Sequence, residues 1–291
     1  MTHQQCPLCT SSELRSSWLE VEFNAKIFQF KECMGCRSLI CDPMPDADDL
    51  ARMYDDSYCD DAGEPQFEDL GKFGEVLDFL QNEQPGRFID YGCGDGRLLR
   101  AVKEMGWDVL GIDFNPSFAA SLAEEGIRVI GHNEPVSEPA DVVHLGDVLE
   151  HLTDIDAEFR RVLALLKPGG TMVAHGPLEA NPNLFFRMIR FRRKFSREPN
   201  QTPPFHVLLS TTRGQRALFE RYGLVEEDFR VREIAFPAPE QLDRAVIRNL
   251  RSLGLFSLRK ISQAASRANL ESFGNRYFYL GRKMAPQLND G

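Results

Sequence analysis

The sequence lacks the features that would assign it to a membrane, secreted or general nucleic-acid-binding class. No stretch approaches the roughly 18 apolar residues that a helix needs to cross a bilayer. The first residues, MTHQQCPLCT, contain no basic segment followed by an apolar one, so we expect a cytoplasmic protein. With 34 Lys and Arg against 44 Asp and Glu, the formal net charge is −10. This charge disfavours nucleic acid as a partner, because phosphate contacts need surplus cations.

Cysteine is absent beyond residue 93, and its distribution before that point is uneven. The first four cysteines form two C-x-x-C pairs, CPLC and CMGC. Each pair can place two thiolates on one tight turn, and two such turns complete a tetrahedral zinc site. The odd total of seven cysteines argues against a disulfide framework. We therefore predict a structural zinc ribbon over residues 1–44, against the alternative of unrelated buried or redox thiols. Its predicted ligands are Cys6, Cys9, Cys33 and Cys36.

The rest of the chain alternates between strand and helix patterns. Residues 45–65 are acidic and predict a linker with one short helix near 47–54. From residue 66 onward, apolar runs and helical spacings alternate, which predicts parallel strands joined by helical crossovers. Predicted strands cover 87–90, 108–113, 128–131, 141–145, 171–175, 225–236 and 275–284. We predict one α/β domain over 66–284 with insertions at about 178–206 and 237–272, and a flexible tail at 285–291.

The first two strand ends carry the most specific motif. The strand FIDYGCGDG (88–96) reads D-x-G-x-G-x-G, with Asp90 followed by Gly92, Gly94 and Gly96. Arg97 occupies the position of the third glycine of a dinucleotide fingerprint, so a pyrophosphate turn is not expected. Asp113 ends the second strand, where an acid can bind both hydroxyls of a ribose. The pattern predicts a nucleoside-binding α/β domain, with a nucleotide-free domain of the same fold as the alternative.

These residues resemble the class I S-adenosylmethionine-dependent methyltransferases, in the group that includes the ubiquinone-biosynthesis enzymes. The resemblance rests on FIDYGCGDG (88–96), VLGIDFNP (109–116), DVLEHL (147–152) and LKPGGTMVAHGP (166–177). The N-terminal cysteine segment is similar to the zinc-ribbon leader of one bacterial subgroup. The resemblance implies a Rossmann-like, seven-stranded, mostly parallel sheet with an antiparallel last strand.

The resemblance also implies a set of residues around the cofactor, S-adenosylmethionine. Asp90 and the turn from Gly92 to Gly96 would surround the methionine moiety, and Asp113 would hold the ribose. His132 and Asn133 are the candidates for contacting adenine. The implied cofactor-binding set is Asp90, Gly92, Cys93, Gly94, Gly96, Asp113, Phe114, Leu145, Gly146 and Asp147.

Two histidines are candidate catalytic residues. Asp147, Glu150 and His151 have the spacing i, i+3 and i+4, which predicts that they share one face of a helix. The similar segment of ubiquinone-pathway enzymes binds a divalent cation. Here the first acid is the shorter Asp, so we favour Glu150 and His151 shaping the pocket, with His151 as a hypothetical general base. The family often carries a histidine at the position of His206, in a segment that closes over the substrate.

The segment 184–197 holds six cations and no acid, with four phenylalanines between them. Three interpretations are open: a lid that attracts an anionic substrate, a surface that docks on an anionic membrane beside a lipid-linked glycan, and an ordinary surface helix. The cations are Arg187, Arg190, Arg192, Arg193, Lys194 and Arg197.

The leading functional hypothesis is methyl transfer to a small-molecule, carrier-linked or glycan-precursor acceptor, at oxygen. The segment LGDVLEHL lacks the N/D-P-P-Y/F tetrad of nucleic-acid amino methyltransferases. Cys93 lies inside the glycine turn, where it is badly placed to attack a pyrimidine ring. A ribosomal RNA methyltransferase and a non-catalytic cofactor-binding protein that recruits a partner are the alternatives.

Overall fold

The computed structural model describes residues 3–54, 73–115, 118–193, 199–201, 203–233, 246–268 and 270–285. The predicted linker beyond residue 54, Lys194, Arg197 and most of the predicted tail lie outside these ranges. The chain divides into two compact units, and each unit combines segments that are distant in the sequence. Unit 1 contains 1–44, 176–218 and 229–277, and unit 2 contains 45–175, 219–228 and 278–291.

The described residues form eleven strands. They are β1 Leu14–Phe23, β2 Lys26–Cys33, β3 Leu39–Asp42, β4 Arg87–Tyr91, β5 Asp108–Asp113, β6 Arg128–Gly131, β7 Ala140–Gly146, β8 Leu166–Pro177, β9 Leu208–Leu209, β10 Leu224–Arg232 and β11 Arg276–Lys283.

The same residues form eight α-helices and two 3-10 turns. The helices are α1 Ala47–Met53, α2 Gly74–Gln81, α3 Arg97–Glu104, α4 Ala119–Glu124, α5 Ile155–Ala164, α6 Leu184–Arg193, α7 Thr212–Arg221 and α8 Val246–Arg267, and the 3-10 turns are Leu149–His151 and Glu271–Phe273.

Seven strands form one sheet in the order β10-β11-β8-β7-β4-β5-β6. The strands from β8 to β6 pair in parallel, so the loops after β4, β5 and β7 leave the same edge of the sheet. Arg282, near the end of β11, donates to the carbonyl of Gly169 at the beginning of β8 (3.0 Å), and the Nζ of Lys283 donates to the carbonyl of Leu166 (2.7 Å). The last strand is therefore antiparallel, and the predicted seven-stranded, mostly parallel sheet is confirmed.

Helices α2 and α3 bury apolar side chains against this sheet. In α3 the residues Leu98, Leu99 and Val102 share one side, because positions three and four apart face the same way. They pack with Val76 of α2 and Phe88 of β4 in one core cluster. Burying a side chain of this size stabilises a protein by roughly 1.5–3 kcal/mol, so this core holds the glycine turn between β4 and α3 in place.

Unit 1 contains a second sheet, in the order β1-β2-β3-β9. Its first three strands come from the predicted ribbon, and they bury Phe28 and Phe30. The fourth comes from the insertion after β8: Leu39 and Ile40 of β3 pair with Leu209 and Leu208 of β9 in antiparallel register. The N-terminal strands therefore share one sheet with a segment more than 160 residues later in the chain.

Two local predictions differ from the structure. The strand predicted over 171–175 is longer in the structure, where β8 begins at Leu166, ends at Pro177 and carries Gly169 at φ 80°. The sequence DVLEHL was expected as one helical face, but Asp147 has a left-handed φ of 55° and only a 3-10 turn follows it. Because a left-handed residue cannot belong to a right-handed helix, Asp147 does not share a helical face with Glu150 and His151.

Candidate functional site

The loop between β4 and α3 is a turn of left-handed glycines. Gly92, Gly94 and Gly96 have φ values of 85°, 50° and 76°, which glycine adopts at no steric cost. The amides of Gly92 and Cys93 both donate to the carbonyl of Ile112 at the end of β5 (2.7 and 3.2 Å). A Cβ on Gly92 would overlap Val148, whereas a Cβ on Gly94 would meet no atom within 4 Å. The space beside Gly94 is therefore open.

Asp113 joins this turn to the end of β5. Its carboxylate accepts the amide of Gly94 (2.8 Å) with one oxygen and the amide of Asn115 (2.9 Å) with the other. A carboxylate offers about four acceptor positions, so these two bonds fix its orientation and still allow two more donors. This geometry suits a pair of vicinal hydroxyls.

An aromatic pair lies next to Asp113. The ring of Phe114 stacks on that of His132, with centroids 4.2 Å apart and planes at 22°. Phe114 is 49% exposed. Asn133, the other candidate for adenine, instead receives a long contact from Arg161 (3.5 Å). Phe114 and His132 therefore offer a flat surface on which a purine could stack.

Asp90, a predicted cofactor-binding residue, is buried near the end of β4. It is only 3% exposed, and its Oδ1 lies 2.7 Å from Nδ1 of His144 on the neighbouring strand β7. The two residues are register partners in the parallel pair. The Nε2 of His144 has no hydrogen-bond partner among the described residues. Asp90 and His144 thus form a polar pair inside the sheet, directly before the glycine turn.

The segment from Leu145 to Asp147 is packed against β8. Leu145 is buried, and a Cβ on Gly146 would come within 2.7 Å of Nε2 of His175. The amide of Asp147 donates to the carbonyl of His175 (3.0 Å). These contacts fix the backbone at the end of β7, where the sequence predicted a cofactor-flanking segment.

Cys93 is buried within the glycine turn. Burial raises the pKa of its thiol well above the usual range, and the nearby carboxylates of Asp90 and Asp113 raise it further. A protonated thiol is a poor nucleophile, so the structure gives Cys93 no means of attacking a substrate.

The two candidate catalytic histidines have different partners. In unit 2, Nδ1 of His151 lies 3.0 Å from the hydroxyl oxygen of Tyr54, which follows α1, and Glu150 is buried beside it in the 3-10 turn. In unit 1, Nδ1 of His206 lies 2.8 Å from Oε2 of Glu179. Sequence reasoning missed Tyr54 and Glu179, because one falls in the predicted linker and the other in an insertion without a motif.

The four cysteines of the predicted ribbon meet in unit 1. Sγ of Cys6 lies 3.7 Å from Sγ of Cys36, and Sγ of Cys9 lies 3.5 Å from Sγ of Cys33. All four sulfurs lie within 4.8 Å of one another. Tetrahedral zinc with bonds of about 2.3 Å would separate its sulfur ligands by about 3.8 Å, so the arrangement fits zinc.

The thiol of Cys6 shares a hydrogen bond with that of Cys36. This bond lowers the pKa of Cys36, and together with burial it raises the pKa of Cys6. Cys41 lies outside the group and donates to the carbonyl of Pro43 (3.4 Å).

Most of the basic segment forms α6. Phe186 makes an edge contact with Trp18 of β1 (5.9 Å), and Arg190 lies 3.7 Å from Glu32 of β2. Phe191 is 62% exposed. The helix α8, which packs on α6, also contains five cations and no acid, a feature that the sequence analysis did not single out. In the part of the chain that the structure describes, no helix has the length and apolar character to cross a membrane.

Known proteins are similar to this chain in sequence over part of its length and in fold. A family model described as a methyltransferase domain matches residues 67–271. The ubiquinone biosynthesis O-methyltransferase of Bordetella avium is 36% identical over 114 residues, covering 35% of this chain and 46% of that protein. Its namesake from a Bradyrhizobium species is 34% identical over 126 residues, covering 40% of this chain and 47% of that protein. The chain thus spans about half the length of the curated relatives it matches.

A solved structure covers more of the chain at lower identity. It is the Burkholderia thailandensis 1,6-didemethyltoxoflavin-N1-methyltransferase with bound 1,6-didemethyltoxoflavin and S-adenosylhomocysteine. The TM-score is 0.54 at 15% identity, over 91% of this chain and 99% of that chain. At this identity the likeness shows a shared fold.

Proposed function

This chain belongs to the class I S-adenosylmethionine-dependent methyltransferases, and from that premise we propose that it methylates an oxygen of a small-molecule or glycan-precursor acceptor. The observation that supports the cofactor most strongly is the hydrogen bond between Gly94 and Asp113. It joins an open glycine turn to a carboxylate at adjacent strand ends.

The residues around this bond fit the parts of S-adenosylmethionine. The two remaining acceptor positions of Asp113 suit the ribose hydroxyls. The stacked rings of Phe114 and His132 suit the adenine, and the open side of Gly94 admits the methionine moiety without a clash. In this assignment the buried Asp90 supports the turn through His144.

The cofactor supplies an activated methyl group, and the protein aligns the acceptor and removes its proton. We propose that His151 accepts the proton that the acceptor loses. If Nδ1–H donates to the hydroxyl of Tyr54, Nε2 carries the lone pair that accepts the proton of the acceptor hydroxyl. Glu150 shapes the pocket beside it. We also propose a catalytic role for His206, which Glu179 orients within unit 1.

The choice of oxygen comes from the curated relatives, which are named ubiquinone biosynthesis O-methyltransferases. An anionic acceptor, carrying a phosphate or carboxylate, is favoured by the arginines of α6, since clustered cations attract anions. We also propose that Cys6, Cys9, Cys33 and Cys36 hold structural zinc, in agreement with their sulfur–sulfur distances.

The test is methyl transfer from labelled S-adenosylmethionine into separated fractions of small metabolites, carrier proteins and RNA. We expect label in the small-metabolite or carrier fraction, and loss of most turnover in His151→Ala with unchanged cofactor affinity. Label confined to ribosomal RNA would favour the alternative that the protein is a ribosomal RNA methyltransferase. Tight cofactor binding without any transfer would favour the non-catalytic alternative.

A further inference from the structure

The four-cysteine site is built into the segment that carries His206. The expected ribbon, residues 1–44, would be a separate module, yet unit 1 combines it with residues 176–218. Three sets of contacts join the second cysteine pair and β3 to residues 207–214, and all of them lie within unit 1.

The first set is made by backbone groups. The amide of Cys41 donates to the carbonyl of Val207 (2.9 Å), directly after His206 in the chain. Ile40 and Leu39 then pair with Leu208 and Leu209. Because β3 begins three residues after Cys36, the cysteine turn sets the position of this pairing.

The second set is a buried polar network around Thr211. Its hydroxyl donates to the carbonyl of Cys36 (2.6 Å), and its amide donates to Oγ of Ser38 (3.1 Å). The same hydroxyl accepts the amide of Gly214 in the first turn of α7 (3.0 Å). One side chain therefore links a cysteine of the proposed zinc site to the beginning of α7.

The third set is close packing at Gly214. A Cβ at this position would overlap Oγ of Ser38 and would lie 3.3 Å from Sγ of Cys36. The backbone of α7 thus lies against the cysteine site, and a side chain at this position would displace that of Ser38.

We infer that the metal held by the four cysteines positions the His206 segment, through Thr211, Ser38 and Gly214 as positioning residues. This inference rests on the zinc and on the role of His206 in the proposed function. Metal binding and ordering of residues 206–214 are then coupled. Since such coupling is reciprocal in binding free energy, loosening the segment must weaken the affinity for the metal, and we expect the weaker affinity as faster release.

Reciprocity gives a test that does not depend on catalysis. Zinc content is measured first, and release of zinc to a chromogenic chelator is then followed in the full chain. We expect Thr211→Val to release zinc about tenfold faster, since it removes a buried hydrogen bond to Cys36. Gly214→Ala, which introduces the Cβ overlap, should act in the same direction, and Thr211→Ser, which keeps the hydroxyl, should restore slow release.

Thr212→Val is the matched control. Thr212 is the next residue and is similarly buried, but its hydroxyl bonds to Asn181 instead of the cysteine turn. Its zinc release should equal that of the unchanged chain.

Hydrogen exchange of the metal-free chain supplies an independent measurement. Peptides covering 205–214 should lose protection, while those covering the glycine turn at 88–96 and the affinity for S-adenosylhomocysteine should not change. Zinc present with unchanged release in Thr211→Val, or full protection of 205–214 without metal, overturns the inference alone. A purified chain without zinc overturns the proposed metal and the inference with it.

Discussion

At the residue scale, Asp113 is the side chain on which the proposed cofactor site depends most. Replacing it with Ala removes the acceptor for two ribose hydroxyls and the bond to Gly94. Hydrogen bonds to a charged group contribute about 1.5–3 kcal/mol, so affinity for S-adenosylhomocysteine should fall by about 10- to 100-fold. Calorimetry measures this fall. Asp108→Ala is the control, because Asp108 lies at the other end of β5 and is an exposed ion-pair partner of Arg87.

Cys93 gives a second prediction at this scale. Because burial raises the pKa of its thiol, almost no thiolate exists near neutral pH, and alkylation requires thiolate. We expect Cys93 to resist iodoacetamide at about pH 8 in the folded chain and to react fully after denaturation. Mass spectrometry of the peptide containing Cys93 reads out both states. Equal labelling before and after denaturation would contradict the buried placement.

Single residues were the most predictable part of the site wherever a short motif specified them. Asp113 and the glycines follow from local spacing, and they lie together as parallel strand ends require. Tyr54, Glu179 and the partner of Asp90 did not follow. Each forms its contact across at least 27 residues of sequence, and no local pattern marks either end of such a contact.

At the element scale, the beginning of α5 offers a clear comparison between two candidate caps. Thr153 and Asp154 both carry side chains that can cap a helix, and in the structure Asp154 accepts the amide of Ala157 (3.0 Å). Asp154→Ala should lower the free energy of unfolding by about 1 kcal/mol, because an amide of the first turn loses its acceptor. Thr153→Ala should change it by less than about 0.5 kcal/mol. Urea unfolding of both variants measures these changes. Equal effects would contradict the assignment of Asp154 as the cap.

Five of the seven predicted strands match the observed strands within two residues at both ends, because apolar spacing decides which side is buried. The expectation failed at DVLEHL, where three polar side chains fit helical spacing. There, Asp147 takes a left-handed φ and its amide bonds to His175 on β8. Tertiary pairing at the end of β7 overrides the helical pattern, and spacing alone carries no information about φ.

At the scale of the whole molecule, distant segments decide the architecture. Ser38 and Thr211 are 173 positions apart in the sequence, and their hydroxyl oxygens lie 3.4 Å apart in unit 1. Prediction from local sequence patterns separates residues 1–44 from the later domain. Neither β3 nor β9 alone has a pattern that indicates their pairing. The sheet of unit 2 was predictable because its strands repeat one local unit, strand then helix, whereas the sheet of unit 1 repeats nothing.

Charge is also distributed unevenly over the whole chain. Helices α6 and α8 together carry nine cations and no acid, in a chain with a net charge of −10. If the acceptor is anionic, attraction to this surface speeds its capture and is screened by salt. Raising NaCl from about 50 to about 300 mM should therefore raise KM for the acceptor severalfold, with little change in cofactor affinity.

Charge-reversal variants test whether the cations of α6 cause this salt dependence of KM. Arg192→Glu, at an exposed position of α6, should raise KM and flatten its salt dependence, because a negative charge on this helix repels an anionic acceptor. Arg128→Glu, at an exposed position on β6 in unit 2, changes the net charge equally and should leave KM unchanged. Equal responses of the two variants would mean that net charge, and not the α6 surface, governs capture of the acceptor. A KM that is independent of salt in the unchanged chain would remove the argument for an anionic acceptor.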